Sequence, residues 1–176
     1  MLILNDSPLV LQDFFELEDK DNLIKIIKEK ASRDQTKTSI RLNTAYCNIY
    51  QPWKHKNNDF AEVNRIFSEK ISQMLKAKYK VTKETWALDY KNGEGTNMHT
   101  HPGDHEMSAI YYLIADEGCG TLILESPDLE IEPKPGMFIL FNNYVAHGVL
   151  PSINPDAQRV CIAMNAKYIN EPIRLS

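Results

Sequence analysis

From Val81 onward the sequence breaks into short apolar segments divided by turn residues, and this spacing restricts the fold more than any other feature. Trp86, Leu88 and Tyr90 alternate with Ala87 and Asp89, as in a half-buried strand. Strand-like runs follow at 107–114, 121–124, 129–132, 137–141, 145–149 and 159–168. Between them stand turn residues such as Glu117-Gly118, Pro127-Asp128, Pro135-Gly136 and Asn154-Pro155. Many short strands at close spacing predict an antiparallel sandwich or barrel. The first half reads differently. Leu23, Ile24, Ile26 and Ile27 mark an amphipathic helix over 21–31. Phe60, Val63, Ile66, Phe67, Ile71, Met74 and Leu75 mark a longer one over 58–80, with Asn58 as its N-cap. Helices packed on a β-rich second half make an α+β protein. The expected layout is one domain over 1–176, with a helical buttress and first strands at 1–80 and a β core at 81–170.

Composition narrows the function. With 20 basic and 24 acidic residues the chain is mildly acidic and offers no positive field for nucleic acid. No apolar run is long enough for a membrane span. No basic residue precedes Lys20, which argues against a secretory signal. Cys47, Cys119 and Cys161 are widely spaced and odd in number, so a disulfide framework or Cys-x-x-Cys zinc site is excluded and a reducing cytoplasm is expected.

Four of the five histidines fall between His99 and His147. On a strand, residues i and i+2 face the same way, so His99 and His101 project side by side and form half a metal site. His147, several strands later, is the third candidate. In place of His101, the nearby carboxylates Asp104 and Glu106 are alternatives; Asp104 is the fallback, because a Pro102-Gly103 turn can swing it back, and His105 reads as an exposed loop residue. The bland alternative is a solvated His99–His101 pair and a surface His147. Arg159 opens an apolar strand, where a desolvated charge needs an anion. Its planar fork suits a carboxylate, and one of the chain's own 24 acidic residues is an ordinary partner.

The ordered series Asn97-x-His99-x-His101-Pro102, Ser108-Ala-Ile-Tyr-Tyr112-Leu, Pro135-Gly136-Met-Phe-Ile-Leu-Phe141, His147-Gly-Val-x-Pro151 and Arg159-x-Cys-Ile-Ala-x-Asn165 resembles the Fe(II)- and 2-oxoglutarate-dependent oxygenases. More narrowly, it is similar to a subgroup of small bacterial and phage members with a prolyl-hydroxylase-like core. The resemblance covers about the C-terminal half. It implies a double-stranded β-helix, a jelly-roll or cupin-like barrel, behind N-terminal buttressing helices. It further implies metal ligation by His99 and His147, with His101 where the family usually has a carboxylate. Arg159 would grip 2-oxoglutarate, aided by Tyr112 and, less directly, by Tyr90, Asn97 and Cys161. No catalytic residue beyond the metal ligands is implied. The cofactors would be Fe(II), the cosubstrate 2-oxoglutarate and O2, and the reaction hydroxylation of a C–H bond with release of succinate and CO2. A protein side chain or small metabolite is the expected substrate, and the host cytoplasm the location if the chain is phage-encoded. A homodimer is compatible with this reading.

Two departures stand out. His101 is neutral where a carboxylate is usual, and Cys161 replaces a hydroxyl that many relatives place near the same carboxylate; a thiol is the weaker donor. Competing readings are a cupin and a non-catalytic β-sandwich binding module. Gly93, His99, His101 and Glu106 match the first half of the first cupin motif, but Leu113 stands at its closing glycine and Gly136 lies too far from His147 for the second. That reading makes Glu106 a fourth ligand and leaves Arg159 without a role.

Overall fold

The computed structural model describes residues 8–30, 41–42, 45–48, 59–91 and 93–170. Along the chain these form β1 (Val10–Phe14), α1 (Lys20–Lys30), β2 (Arg41–Leu42), β3 (Ala45–Asn48), α2 (Asp59–Leu75), β4 (Tyr79–Tyr90), β5 (Gly95–His99) and β6 (Met107–Ala115). They continue with β7 (Leu122–Leu124), β8 (Leu129–Ile131), β9 (Met137–Asn142), β10 (His147–Val149) and β11 (Arg159–Tyr168). One sheet has the order β1-β9-β6-β11-β4-β3 and the other β2-β5-β10-β7-β8. Every pairing is antiparallel. From β4 onward the chain passes back and forth between the sheets, the winding of a double-stranded β-helix. Among the described residues the two sheets face each other as separate ladders and do not close into a barrel.

The larger sheet is covered on both faces, which explains why its strands read as nearly continuous apolar runs. Successive side chains on a strand point to opposite faces. On β11, Val160, Ile162, Met164 and Ala166 join one core, and Cys161 and Ala163 join another. The same division sorts Tyr111 and Leu113 from Ile110 and Tyr112 on β6, and Phe138 and Leu140 from Ile139 and Phe141 on β9. The first core lies under the helices. Leu23, Ile26 and Ile27 come from α1, and Val63, Phe67 and Ile71, spaced one helical turn apart, from α2. Phe67 is fully buried at its centre, stacked on Phe138 at 5.8 Å between ring centroids and 5.5 Å from Tyr111. The second core fills the space between the sheets and contains Leu88, Ile110, Leu124 and Phe141.

The second helix is shorter than the expected 58–80, and its predicted N-cap Asn58 lies outside the described residues. α2 ends at Leu75 because Lys76 turns left-handed, with φ of 50°, and the Ala77 N–H returns to the Ser72 carbonyl at 3.2 Å. Tyr79 and Lys80, expected in the helix, open β4 instead. Two helix serines then fasten that strand: Val81 N–H donates to Ser68 Oγ at 3.0 Å and Tyr79 N–H to Ser72 Oγ at 2.9 Å. Among the described residues no helix is long and apolar enough to cross a membrane.

Phe67→Ala removes the ring on which Tyr111 and Phe138 rest, and is expected to lower the unfolding free energy by about 3–5 kcal/mol. Urea denaturation measures it, and a loss below about 1 kcal/mol would contradict this account of the helix-side core.

Candidate functional site

β5 and β10 lie side by side in the smaller sheet, with His99 directly opposite His147. The register slips between there and the Thr96–Val149 pair, so β5 carries a bulge. The extra residue lets Thr96 and His99 both face the larger sheet, and Thr96 Oγ1 lies 2.7 Å from the Tyr90 hydroxyl. Each histidine is oriented from behind. His99 Nδ1 meets the Asn97 carbonyl at 2.8 Å, and His147 Nδ1 meets that of Val145 at 2.9 Å. Both contacts suit a hydrogen on Nδ1 and a lone pair on Nε2, and His99 Nε2 lies 3.1 Å from His101 Nε2. The Phe141 ring packs edge-on to His147 at 4.8 Å.

His101 joins them by a different route from the expected strand pleat. β5 stops at His99, and His101 lies in the loop beyond. Its backbone N–H donates to the Asn143 carbonyl at 3.1 Å, and Asn143 Nδ2 donates back to the His101 carbonyl at 3.2 Å. Trp86 then stacks on the imidazole at 5.2 Å with ring planes 10° apart. The outcome is a cluster in which one nitrogen from each of His99, His101 and His147 lies within 4.8 Å of the others. Burial, with the neighbouring imidazoles adding to it, pushes His101 down to about 3. Burial also pushes His147 down to about 4, against the opposing effect of its Val145 hydrogen bond. Both rings are therefore neutral near pH 7, as a metal ligand requires.

The acidic residues nearby point elsewhere. Asp104, the fallback ligand, is exposed and pairs with Lys167. Glu106, the fourth ligand of the cupin reading, is exposed and accepts the Tyr168 N–H at 2.8 Å. His105 is buried, contrary to the expected exposed loop residue, and stands outside the cluster. Gly103 lies so close to its ring that a Cβ there would sit 2.6 Å from His105 Cε1, and Asn143 Nδ2 holds its carbonyl at 2.6 Å. Asn97 is exposed, with its carbonyl engaged by His99.

Arg159 occupies the same layer between the sheets, on β11 opposite Tyr90, and is 1% exposed. Its guanidinium lies 5.0 Å from the ring centroids of both Tyr90 and Tyr112. Nη1 donates to the Gly120 carbonyl at 2.9 Å and Nη2 to the Tyr112 hydroxyl at 3.2 Å, while Nε is buried with no hydrogen-bond partner. Among the described residues no carboxylate pairs with it. Burial raises the Tyr112 phenol and pushes the Cys161 thiol up to about 11, so neither neighbour supplies a negative charge near pH 7. Trp86, Asn143 and the Gly120 carbonyl are parts of the site that sequence patterns did not mark. Trp86 had only its place on an alternating strand, and the other two act through backbone contacts distant in sequence.

No family model matches the chain, and no curated protein matches it in sequence. Solved structures share its fold. A viral collagen prolyl hydroxylase from Paramecium bursaria Chlorella virus-1, in complex with 2-oxoglutarate, is 17% identical with a TM-score of 0.63, over 91% of this chain and 96% of its own. A Pseudomonas putida prolyl-4-hydroxylase is 16% identical with a TM-score of 0.65, over 92% and 93%. HygX from Streptomyces hygroscopicus, with nickel and 2-oxoglutarate bound, is 10% identical with a TM-score of 0.67, over 94% and 85%. At these identities the likeness is one of fold.

Histidines in the unfolded chain titrate near 6.5, so acid protonates them before the buried His101 and His147. The metal-free protein should therefore lose stability as pH falls below about 6.5, already between about pH 6.5 and 5 where most carboxylates stay ionised. Urea midpoints across that window check it, and a flat profile would contradict the burial assigned to these rings.

Proposed function

We propose that this chain is a non-haem Fe(II)- and 2-oxoglutarate-dependent oxygenase that hydroxylates a C–H bond of a protein side chain or small metabolite. The observation that carries the reading is Arg159, a buried cation with an orphan Nε and no carboxylate partner among the described residues, in the layer that holds the three imidazoles. A fixed charge in such a place is costly unless a partner arrives with a ligand. A planar guanidinium fits a carboxylate through two parallel hydrogen bonds.

The donor set fits the metal as well. Three imidazole ligands suit iron, nickel, copper or zinc better than magnesium or calcium. They cancel none of a divalent ion's charge, which leaves that task to an anionic ligand such as the dianion of 2-oxoglutarate. His99, His101 and His147 would hold the ion. Iron(II) and 2-oxoglutarate bound there supply O2-dependent C–H hydroxylation coupled to decarboxylation of the oxo acid to succinate and CO2.

The chain's own groups do the remaining tasks. Arg159 binds the distal carboxylate and so fixes the direction from which the cosubstrate reaches the metal side. Tyr112 takes one Arg159 N–H on its oxygen and keeps a hydroxyl proton to donate to that carboxylate. Cys161 adds a weaker donor, and the Tyr90 ring packs against the guanidinium. Ile110, Leu124 and Phe141 line the same layer and keep bulk water from it. The shared fold supports the reading, since HygX and the virus enzyme carry 2-oxoglutarate on it. Iron(II) chemistry and the free thiols Cys119 and Cys161 together suit a reducing cytoplasm.

His147→Ala should abolish tight metal binding, and Asp104→Ala should leave it unchanged. Arg159→Met should retain the metal and weaken 2-oxoglutarate by about 2–5 kcal/mol, the cost of leaving a buried charge partner unpaired. Calorimetric titration of 2-oxoglutarate into the metal-loaded variants reads this directly, and unchanged affinity in Arg159→Met would overturn the cosubstrate assignment.

A further inference from the structure

His99 and His147 stand on strands, and His101 is the member of the cluster that does not. A ladder therefore fixes the first two, and something else must fix where the third begins. The residue that meets its backbone is Asn143, in the turn between β9 and β10. The Asn143 carbonyl accepts the His101 N–H at 3.1 Å, and the Asn143 N–H donates to the Glu106 carbonyl at 3.0 Å. Its side-chain Nδ2 donates to the His101 carbonyl at 3.2 Å and to the His105 carbonyl at 2.6 Å. Two carbonyl oxygens face that atom, which identifies it as the amide nitrogen and uses both of its hydrogens. One residue thus ties down both ends of the loop that carries His101. The segment between the ties includes Pro102, which has no N–H to give, and the exposed Asp104.

The same turn reaches the cluster a second time. The Val145 N–H closes it by donating to the Asn142 carbonyl at 3.0 Å, and the Val145 carbonyl lies 2.9 Å from His147 Nδ1. Asn142 is itself held to the start of β1, since its Oδ1 accepts the Leu9 N–H at 2.7 Å. Residues 142–145 therefore touch the backbone of His101 on one side and the ring of His147 on the other. The two rings lie 5.0 Å apart between centroids and 16° from parallel. His99 is joined to His147 separately, as its direct strand partner. Strand pairing fixes one spacing in the triad, and the turn before β10 fixes another. We infer that Asn143 is a positioning residue for His101, which sets its distance from His147 before a metal ion arrives. This rests on the metal reading above. Ordering a loose loop would otherwise be subtracted from the binding free energy. Asparagine suits the place because its short side chain carries two N–H donors; serine has one and an ionised aspartate none.

Hydrogen exchange in the metal-free wild type tests the brace without a variant. The His101 amide should be protected although it lies outside a strand, and an amide that exchanges freely until zinc is added would overturn the inference. Asn143→Leu keeps a side chain of similar size and removes both donors. It should weaken Zn(II), read by competition with a chromophoric chelator, by about 10–100-fold, the usual cost of losing a group that orients a ligand. Bound Cu(II), which imidazole suits, should show three coordinated imidazoles by pulsed EPR in the wild type and two in this variant. Asn143→Ser keeps one donor and should recover part of the zinc affinity, whereas a packing role would favour leucine over serine. Wild-type zinc affinity in Asn143→Leu, with binding abolished in His147→Ala, would overturn the Asn143 role and leave the metal reading standing. Zinc affinity unaffected by His147→Ala would overturn both.

Discussion

Arg159 carries a permanent positive charge into the space between two sheets, where its hydrogen-bond partners are a phenol and a peptide carbonyl and its nearest surfaces are two aromatic faces. Removing an ion from water costs several kcal/mol, and none of these neutral partners offsets it as a carboxylate would. The surroundings are nevertheless built to hold the guanidinium in place. Gly120 presents its carbonyl from a turn with φ of 99°, and a Cβ there would meet the Leu150 carbonyl oxygen at 2.3 Å. A glycine is thus required at the position that anchors one end of the fork. In the function proposed above, the missing partner is the carboxylate of a bound cosubstrate.

The larger sheet makes that arrangement affordable by separating stability from chemistry. Adjacent residues on its strands serve opposite faces, as Tyr111 and Tyr112 illustrate. Tyr111 lies among Phe15, Phe67 and Phe138 on the helix side and donates its hydroxyl to the Phe15 carbonyl at 2.9 Å. Tyr112, one residue later, faces the other way and contacts Arg159. A slip of one residue in β6 or β11 would exchange the two sets, so the helix-side core also fixes the register of the site. The smaller sheet adds Leu122, Leu124 and Val149 to the second core and also supplies His99 and His147, aligned by direct strand pairing.

Much of this was legible in the sequence, for identifiable reasons. Turn residues divided the strands correctly, and the apolar spacing of Val63, Phe67 and Ile71 marked the buried face of α2. The end of that helix was not legible, because Lys76 adopts a left-handed conformation without the glycine that usually signals it. The histidine cluster was visible as a set of residues, yet His101 reaches it through a loop held by Asn143 rather than through strand alternation. His105 looked like a loop residue and proved buried, since nothing local announces the close packing of Gly103 on its ring. That Arg159 has no carboxylate partner is a property of the fold: the chain has 24 acidic residues, and only their placement shows that the described ones lie elsewhere.

In the proposed function two features act together: three imidazoles that would leave a divalent charge uncompensated, and a buried arginine that would take up a carboxylate. A single dianionic chelator satisfies both. The direct test is an anaerobic titration of the metal-free protein with Fe(II) and then with 2-oxoglutarate, followed by visible absorption. The prediction is a charge-transfer band that requires both components. Iron binding with no band on addition of 2-oxoglutarate, or no iron binding at all, would contradict it.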